Sequence, residues 1–136
     1  MKLRPMTDTD AIYADNHSVS RGISSKEPPV VNFCQTLEDE GKIMAVGGIR
    51  LVNLTTAWCW VNLTDSAGEK PQTVFRAMQK WLDGMARTHG LNRLQAYVEV
   101  NFPEAIKMIE LLGFYRESLM KSFVGNHDAY MYAKVI

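Results

Sequence analysis

Apolar and polar positions along the 136-residue chain follow two rhythms, and the changes of rhythm mark its elements. From Leu94 to Val100 (LQAYVEV), β-formers recur at nearly every other position, as in a strand with one or both faces covered. After Pro103 the period lengthens. Ala105, Ile109 and Leu112 fall at spacings of four and three, with Ile106 beside them, giving one apolar helix face. Asn101 stands three residues before Glu104, the spacing of an N-cap with a reciprocal acidic partner. Pro103 lies in the first turn, where its missing N–H costs nothing. Gly113 supplies a left-handed stop, and Phe114 opens the next segment.

The same reading orders the rest of the chain. Lys2 to Met6 is a short extended piece, and Thr7, Asp8, Thr9 and Asp10 offer caps for a helix entering Ala11–Ala14. Residues 15–30 are polar, contain Gly22, Pro28 and Pro29, and read as loop or broken helix. Val31 to Leu37 fits either a short helix or a strand. Glu38 to Lys42 is a turn. Ile43 to Val52 is a strand interrupted by Gly47 and Gly48, a sign of a bulge or of a close backbone approach. A hairpin through residues 52–55 leads to a strand over Thr56–Leu63. Residues 64–72 form a loop of turn formers. A helix then runs from about Thr73 to His89, with Val74, Met78, Trp81 and Met85 on one face beside Ala77 and Leu82, and Gly90 ends it. Tyr115–Phe123 and Ala129–Val135 read as two closing strands about a turn at 124–128. The order β, helical region, βββ, α, β, α, ββ predicts an α/β fold: a mixed, mostly antiparallel sheet with helices on both faces.

Composition narrows the function classes. The length suits one domain over residues 1–136. Fifteen basic and fifteen acidic residues cancel, so charge gives no reason to expect nucleic acid or a membrane surface as partner. No apolar run approaches the ~18 residues of a membrane span, and MKLRPMTDTD lacks the apolar core of a secretion signal. Cys34 and Cys59 are isolated thiols, read as reduced cysteines of a cytoplasmic protein. His17, His89 and His127 form no pair with metal-ligand spacing, so no metal is expected.

The stretch from Gly90 to Phe114 resembles part of the GCN5-related N-acetyltransferase family, in which a strand precedes Asn-x-x-Ala-Ile-x-x-Tyr-x-x-x-Gly-Phe. Ala105, Ile106, Gly113 and Phe114 match that form. The family's asparagine position falls on Phe102, with Asn101 one residue early, and its tyrosine, often the general acid, falls on Ile109. Leu3 to Ala11 resembles the family's first strand and helix, and Ala45-x-Gly47-Gly48-Ile49 its third strand. The resemblance implies the acyl-CoA N-acyltransferase fold, acetyl-CoA as co-substrate and an amine as acceptor.

The resemblance also implies where a site would sit. The strand ending at Leu63 should part from the Leu94 strand, so that the backbone of Trp60, Val61, Asn62 and Leu63 can bind the pantetheine amides. Pyrophosphate would meet Ser66, Ala67, Gly68 and Lys70 ahead of the next helix, together with Thr73, and Asn101 would also face the cofactor. The family's loop of Arg or Gln, two residues, Gly, one residue, Gly or Ala falls on Lys70, Thr73 and Phe75, so both small residues are missing. A shifted alignment places Gly68 in the cradle and Lys70 as its charge. Glu99 is the candidate general base, with Asp65 as a second, and Tyr115 is the candidate acid, with Tyr97 as a second.

Each site residue also has a plain structural reading. Glu99 would face solvent near a strand end, Tyr97 would be core with its hydroxyl satisfied, and Trp58 with Trp60 would be packed core rather than a binding platform. The degraded loop, with Trp60–Ser66, resembles small acetyltransferase-like proteins of tailed phages. On that alternative the chain is a catalytically degenerate virion or assembly protein with virion partners, found in the host cytoplasm or the particle. An adaptor that keeps CoA without transfer is a third reading, and pairing of edge strands into a homodimer stays open.

Overall fold

A computed structural model describes residues 1–18 and 33–136. Most of the segment expected as loop or broken helix, with Gly22, Pro28 and Pro29, lies outside the described residues. Among the described residues the elements run β1 (Lys2–Pro5), α1 (Asp8–Asn16), β2 (Phe33–Asp39), β3 (Lys42–Leu51), β4 (Thr56–Leu63), a 3-10 turn (Asp65–Glu69), α2 (Pro71–Thr88), β5 (Arg93–Glu99), α3 (Pro103–Leu111), β6 (Tyr115–Val124) and β7 (His127–Val135). The strands form one sheet in the order β1-β2-β3-β4-β5-β7-β6. β4 and β5 pair in parallel, whereas β1 with β2, β2 with β3, β5 with β7 and β6 with β7 are antiparallel. The ambiguous stretch before Leu37 is settled over Phe33–Asp39 as strand β2. No described helix is long and apolar enough to cross a membrane. The chain divides into two compact units, Met1–Arg50 with Cys59–Leu82, and Leu51–Trp58 with Asp83–Ile136.

In the first unit, Leu37, Met44, Ala45, Ala67 and Val74 form a buried cluster, with Leu63, Ala77 and Met78 packed against it. Helix α1 opens with a capping box: Asp10 N donates to the Thr7 hydroxyl and Thr7 N to the Asp10 carboxylate. The same carboxylate receives two bonds from Arg4, at 2.6 and 2.9 Å, and one from the Thr36 hydroxyl at 3.0 Å. Asp10 is only 4% exposed, and these donors offset its desolvation. The glycine pair of β3 marks close approach, not a bulge. Gly47 and Gly48 stay in register with Gln35 and Cys34, and the register shift lies at Leu37/Glu38. A Cβ on Gly48 would meet the Phe33 carbonyl at 2.6 Å and Trp60 Nε1 at 2.8 Å.

In the second unit, β5 pairs along its whole length with β7, from Arg93↔Val135 to Glu99↔Ala129. Helix α3 begins differently from the sequence expectation. Its N-cap is Phe102 (φ −117°, ψ 75°), and no side chain caps it; Asn101 is exposed. The cause is Pro103, which disfavours helical backbone in the residue before it and so makes Phe102 the last non-helical position. Phe102 N instead donates to the Glu99 carbonyl at 3.1 Å, closing a tight turn off β5. The far end is as the sequence predicts: Gly113 (φ +93°) is left-handed, and Phe114 N returns to the Ile109 carbonyl at 3.2 Å.

Candidate functional site

The candidate cofactor residues, Asn101 apart, lie in the first unit. The ladder between β4 and β5 covers only Thr56–Trp58 against Arg93–Gln95, so Trp60 to Leu63 lie beyond it. The ladder therefore ends five residues before Leu63, where the strands were expected to part. Thr64, fully buried, anchors the end of β4: its N–H donates to the Met44 carbonyl at 3.0 Å and its hydroxyl to the Ile43 carbonyl at 2.6 Å. It also forms an antiparallel bridge with Ser18. The Asn62 side chain is engaged, accepting from the Ser18 hydroxyl and donating to Asp15 at 3.3 Å. Asn62 therefore has its backbone, not its amide side chain, to offer a ligand. Val61 is exposed, and Trp60 is half-buried with an indole N–H that has no hydrogen-bond partner among the described residues.

The loop after β4 is a 3-10 turn followed directly by α2. That helix begins at Pro71, two residues earlier than its apolar period indicated. Proline at the first position has no N–H, so the N–H groups of Gln72 and Thr73 are those the helix's own bonding leaves over. Ala67 is buried in the core cluster and Ser66 is half-buried, while a Cβ on Gly68 would meet nothing within 4 Å. Open space beside Gly68 at a helix N-terminus suits a phosphate. Lys70 is less suited, because its ammonium is ion-paired with Asp39 at 2.5 Å. That pairing raises the Lys70 pKa and holds the Asp39 carboxyl below its ordinary range. Backbone and space thus fit an acyl-CoA, while the expected cation is held in an ion pair with Asp39, which also pairs with the Met1 ammonium at 3.3 Å. Phe75 is half-buried in the first turns of α2.

The candidate catalytic residues, Asp65 apart, lie in the second unit. Glu99 does not face solvent: it is 4% exposed, and neither carboxylate oxygen has a hydrogen-bond partner among the described residues. Burial pushes its pKa up, and the charge of His127 pulls it partly back. An unpartnered buried carboxylate is costly, and such groups gather at functional sites. Tyr115 is not brought to it. Tyr115 stands opposite Ala133 of β7 and Glu99 opposite Ala129. Four residues of strand separate these positions, about 13 Å. Tyr115 is 48% exposed, two residues before Glu117, whose carboxylate is clasped by Arg93. Ile109, at the family's tyrosine position, is a buried hydrocarbon and has no proton to give. Asp65 is exposed at the start of the 3-10 turn in the first unit.

Tyr97 is 39% exposed, not core. Its ring lies edge-on to Trp58, with centroids 6.3 Å apart, and to Phe123 at 4.9 Å. Phe123 was not singled out in the sequence. The one signal there is the break in alternation at Lys121-Ser122, which the structure turns into a bulge.

No family model matches the sequence, and no curated protein sequence matches it. The fold, in contrast, matches solved structures over nearly the full length of both chains. The ribosomal-protein-S18-alanine N-acetyltransferase of Escherichia coli superposes with a TM-score of 0.78 at 20% identity, covering 99% of this chain and 93% of that one. A variant of the spermidine N-acetyltransferase of Vibrio cholerae gives a TM-score of 0.79 at 17% identity, covering 99% and 95%. The seven-stranded mixed sheet with its three described helices is the fold of the GCN5-related N-acetyltransferases.

Proposed function

We propose that this chain is an acetyl-CoA-dependent N-acetyltransferase that acts on an amine, with Glu99 as the general base. The observation that carries this reading is the buried, unpartnered Glu99 carboxylate at the end of the central strand. Two solved structures with the same fold, both N-acetyltransferases, support it. Acetyl-CoA supplies a thioester carbonyl: the amine nitrogen bonds to that carbon, the carbon–sulfur bond breaks, and the thiolate leaves to take a proton. The amine must first lose a proton, and a carboxylate whose pKa is raised by burial accepts it more readily than a solvated one does. In the first unit, the backbone of Trp60, Val61, Asn62 and Leu63 binds the pantetheine. Ser66, Ala67 and Gly68, with the N–H groups of Gln72 and Thr73, bind the phosphates. Tyr115 takes no role beside Glu99, given its distance along the sheet. The alternative of a degenerate virion or assembly module is not favoured, since two solved structures that share this fold are enzymes.

The test is a thermal-shift titration with acetyl-CoA, followed by an assay of amine-dependent thiol release. A ligand that binds only the folded state, at a hundred times its dissociation constant, stabilises by about 2.7 kcal/mol. Glu99→Gln should keep that shift and lose turnover. No shift at saturating acetyl-CoA overturns the proposal.

A further inference from the structure

A second feature of the second unit says what kind of amine the site takes, and it rests on the reading above. Residues Arg93, Gln95, Tyr97 and Glu99 share one face of β5, because side chains alternate along a strand. Trp58 is in parallel register with Gln95 and so joins that face. Its ring stands at 74° to Tyr97, and Phe123 stands at 72° to Tyr97. Three rings, each nearly perpendicular to the next, make walls rather than a flat stack. They are not sealed in the core: Phe123 is 45% exposed. Glu99 lies two residues beyond Tyr97 on the same face, about 7 Å along the strand.

Phe123 reaches this position through a local distortion. Between Met120↔Ala129 and Val124↔His127, β6 advances four residues while β7 advances two. Ser122, inside that bulge, is left-handed (φ +50°), a conformation that costs a non-glycine residue energy. Its N–H is held by the Asp128 carboxylate at 2.9 Å. Bulges re-aim side chains, and this one sets an aromatic ring of an edge strand against Tyr97, two strands away.

Aromatic faces attract organic cations, and a buried carboxylate without a partner is completed by one. We infer that Trp58, Tyr97 and Phe123 form an aromatic subsite for the aliphatic ammonium group of the acceptor, with the Glu99 carboxylate as its counter-charge. The substrate class is then an alkyl primary amine rather than an aryl amine or a hydroxyl compound.

The test uses the full chain without cofactor and two probes of equal shape, n-butylammonium and 1-butanol, with binding followed by calorimetry. The expected result is saturable binding of n-butylammonium and little of 1-butanol. Phe123→Leu should weaken the cation about three- to tenfold, the loss of one cation–π contact, and Phe123→Tyr should restore it. Glu99→Gln should weaken it about tenfold or more. Equal binding of the two probes, or no change in Phe123→Leu, overturns the inference, the first by showing a merely apolar patch. If the chain binds acetyl-CoA but not n-butylammonium, the subsite fails and the acetyltransferase reading stands. If it binds n-butylammonium but not acetyl-CoA, the subsite stands and the acetyltransferase reading fails.

Discussion

Two buried carboxylates, equally hidden from solvent, behave in opposite ways. Asp10 is surrounded by donors from Arg4, Thr7 and Thr36, and the Arg4 guanidinium holds its carboxyl well below the usual range. Its contribution to stability is present above about pH 4, where the unfolded carboxylate ionises, and is lost as pH falls towards its folded value. Asp10→Asn should therefore destabilise the fold by about 2–3 kcal/mol at pH 7, measured by chemical denaturation, and by much less in acid. Glu99 has no such donors, and burial raises its pKa. Below the ionisation of the unfolded residue it costs nothing as a charge; above it, the folded state carries a penalty that the unfolded chain escapes. Glu99→Gln should raise the melting temperature at pH 7 and leave it unchanged near pH 4, while lowering turnover by about 10²–10⁴. A solvated glutamate would give neither effect. The burial of Glu99 was only half legible in the sequence. Alternation put Glu99 on the polar face of β5 with Arg93 and Gln95, and a polar face reads as solvated until tertiary structure covers one end of it.

At the scale of elements, the turns and glycines were the most legible features, because each answers to a local steric rule. Gly113 ends α3 in the left-handed region, and the Gly47-Gly48 pair marks a backbone approach too tight for a side chain. Gly48→Ala should cost about 1–3 kcal/mol or more, since the atom it would strike is a backbone carbonyl that cannot swing aside. Gly68→Ala should leave the unfolding free energy within about 0.5 kcal/mol of the parent, because no atom lies near its Cβ. If phosphate occupies that space, the same change reduces the acetyl-CoA-induced shift. Asp39→Asn should release Lys70 from its ion pair and tighten CoA binding at low salt. Where elements begin was less legible. The rule that places proline at the first helical position is obeyed by both Pro103 and Pro71. The apolar period pointed to Thr73 for α2, and the capping pattern pointed to Asn101 for α3. The bulge near Ser122 was barely legible: the break in alternation at Lys121-Ser122 hints at it, but its form depends on a register with β7 that no local pattern specifies. The separation of Tyr115 from Glu99 follows from the same register.

For the molecule as a whole, the order of strands and helices was readable from periodicity, and it suffices for a close fold match at 20% identity or below. Architecture depends on many apolar positions that tolerate exchange, whereas activity depends on a few groups. Here those groups depart from the resemblance at Phe102 and Ile109 and in the phosphate loop. The burial of Glu99 therefore bears more of the functional argument than any motif does. The most direct measurement of Glu99 as the base is release of CoA thiol from acetyl-CoA with n-butylamine as acceptor, by the parent chain and by Glu99→Gln. Amine-dependent release by the parent, abolished in a variant that still shows the acetyl-CoA thermal shift, is the predicted result. Equal release by both proteins would contradict the assignment of Glu99 as the base.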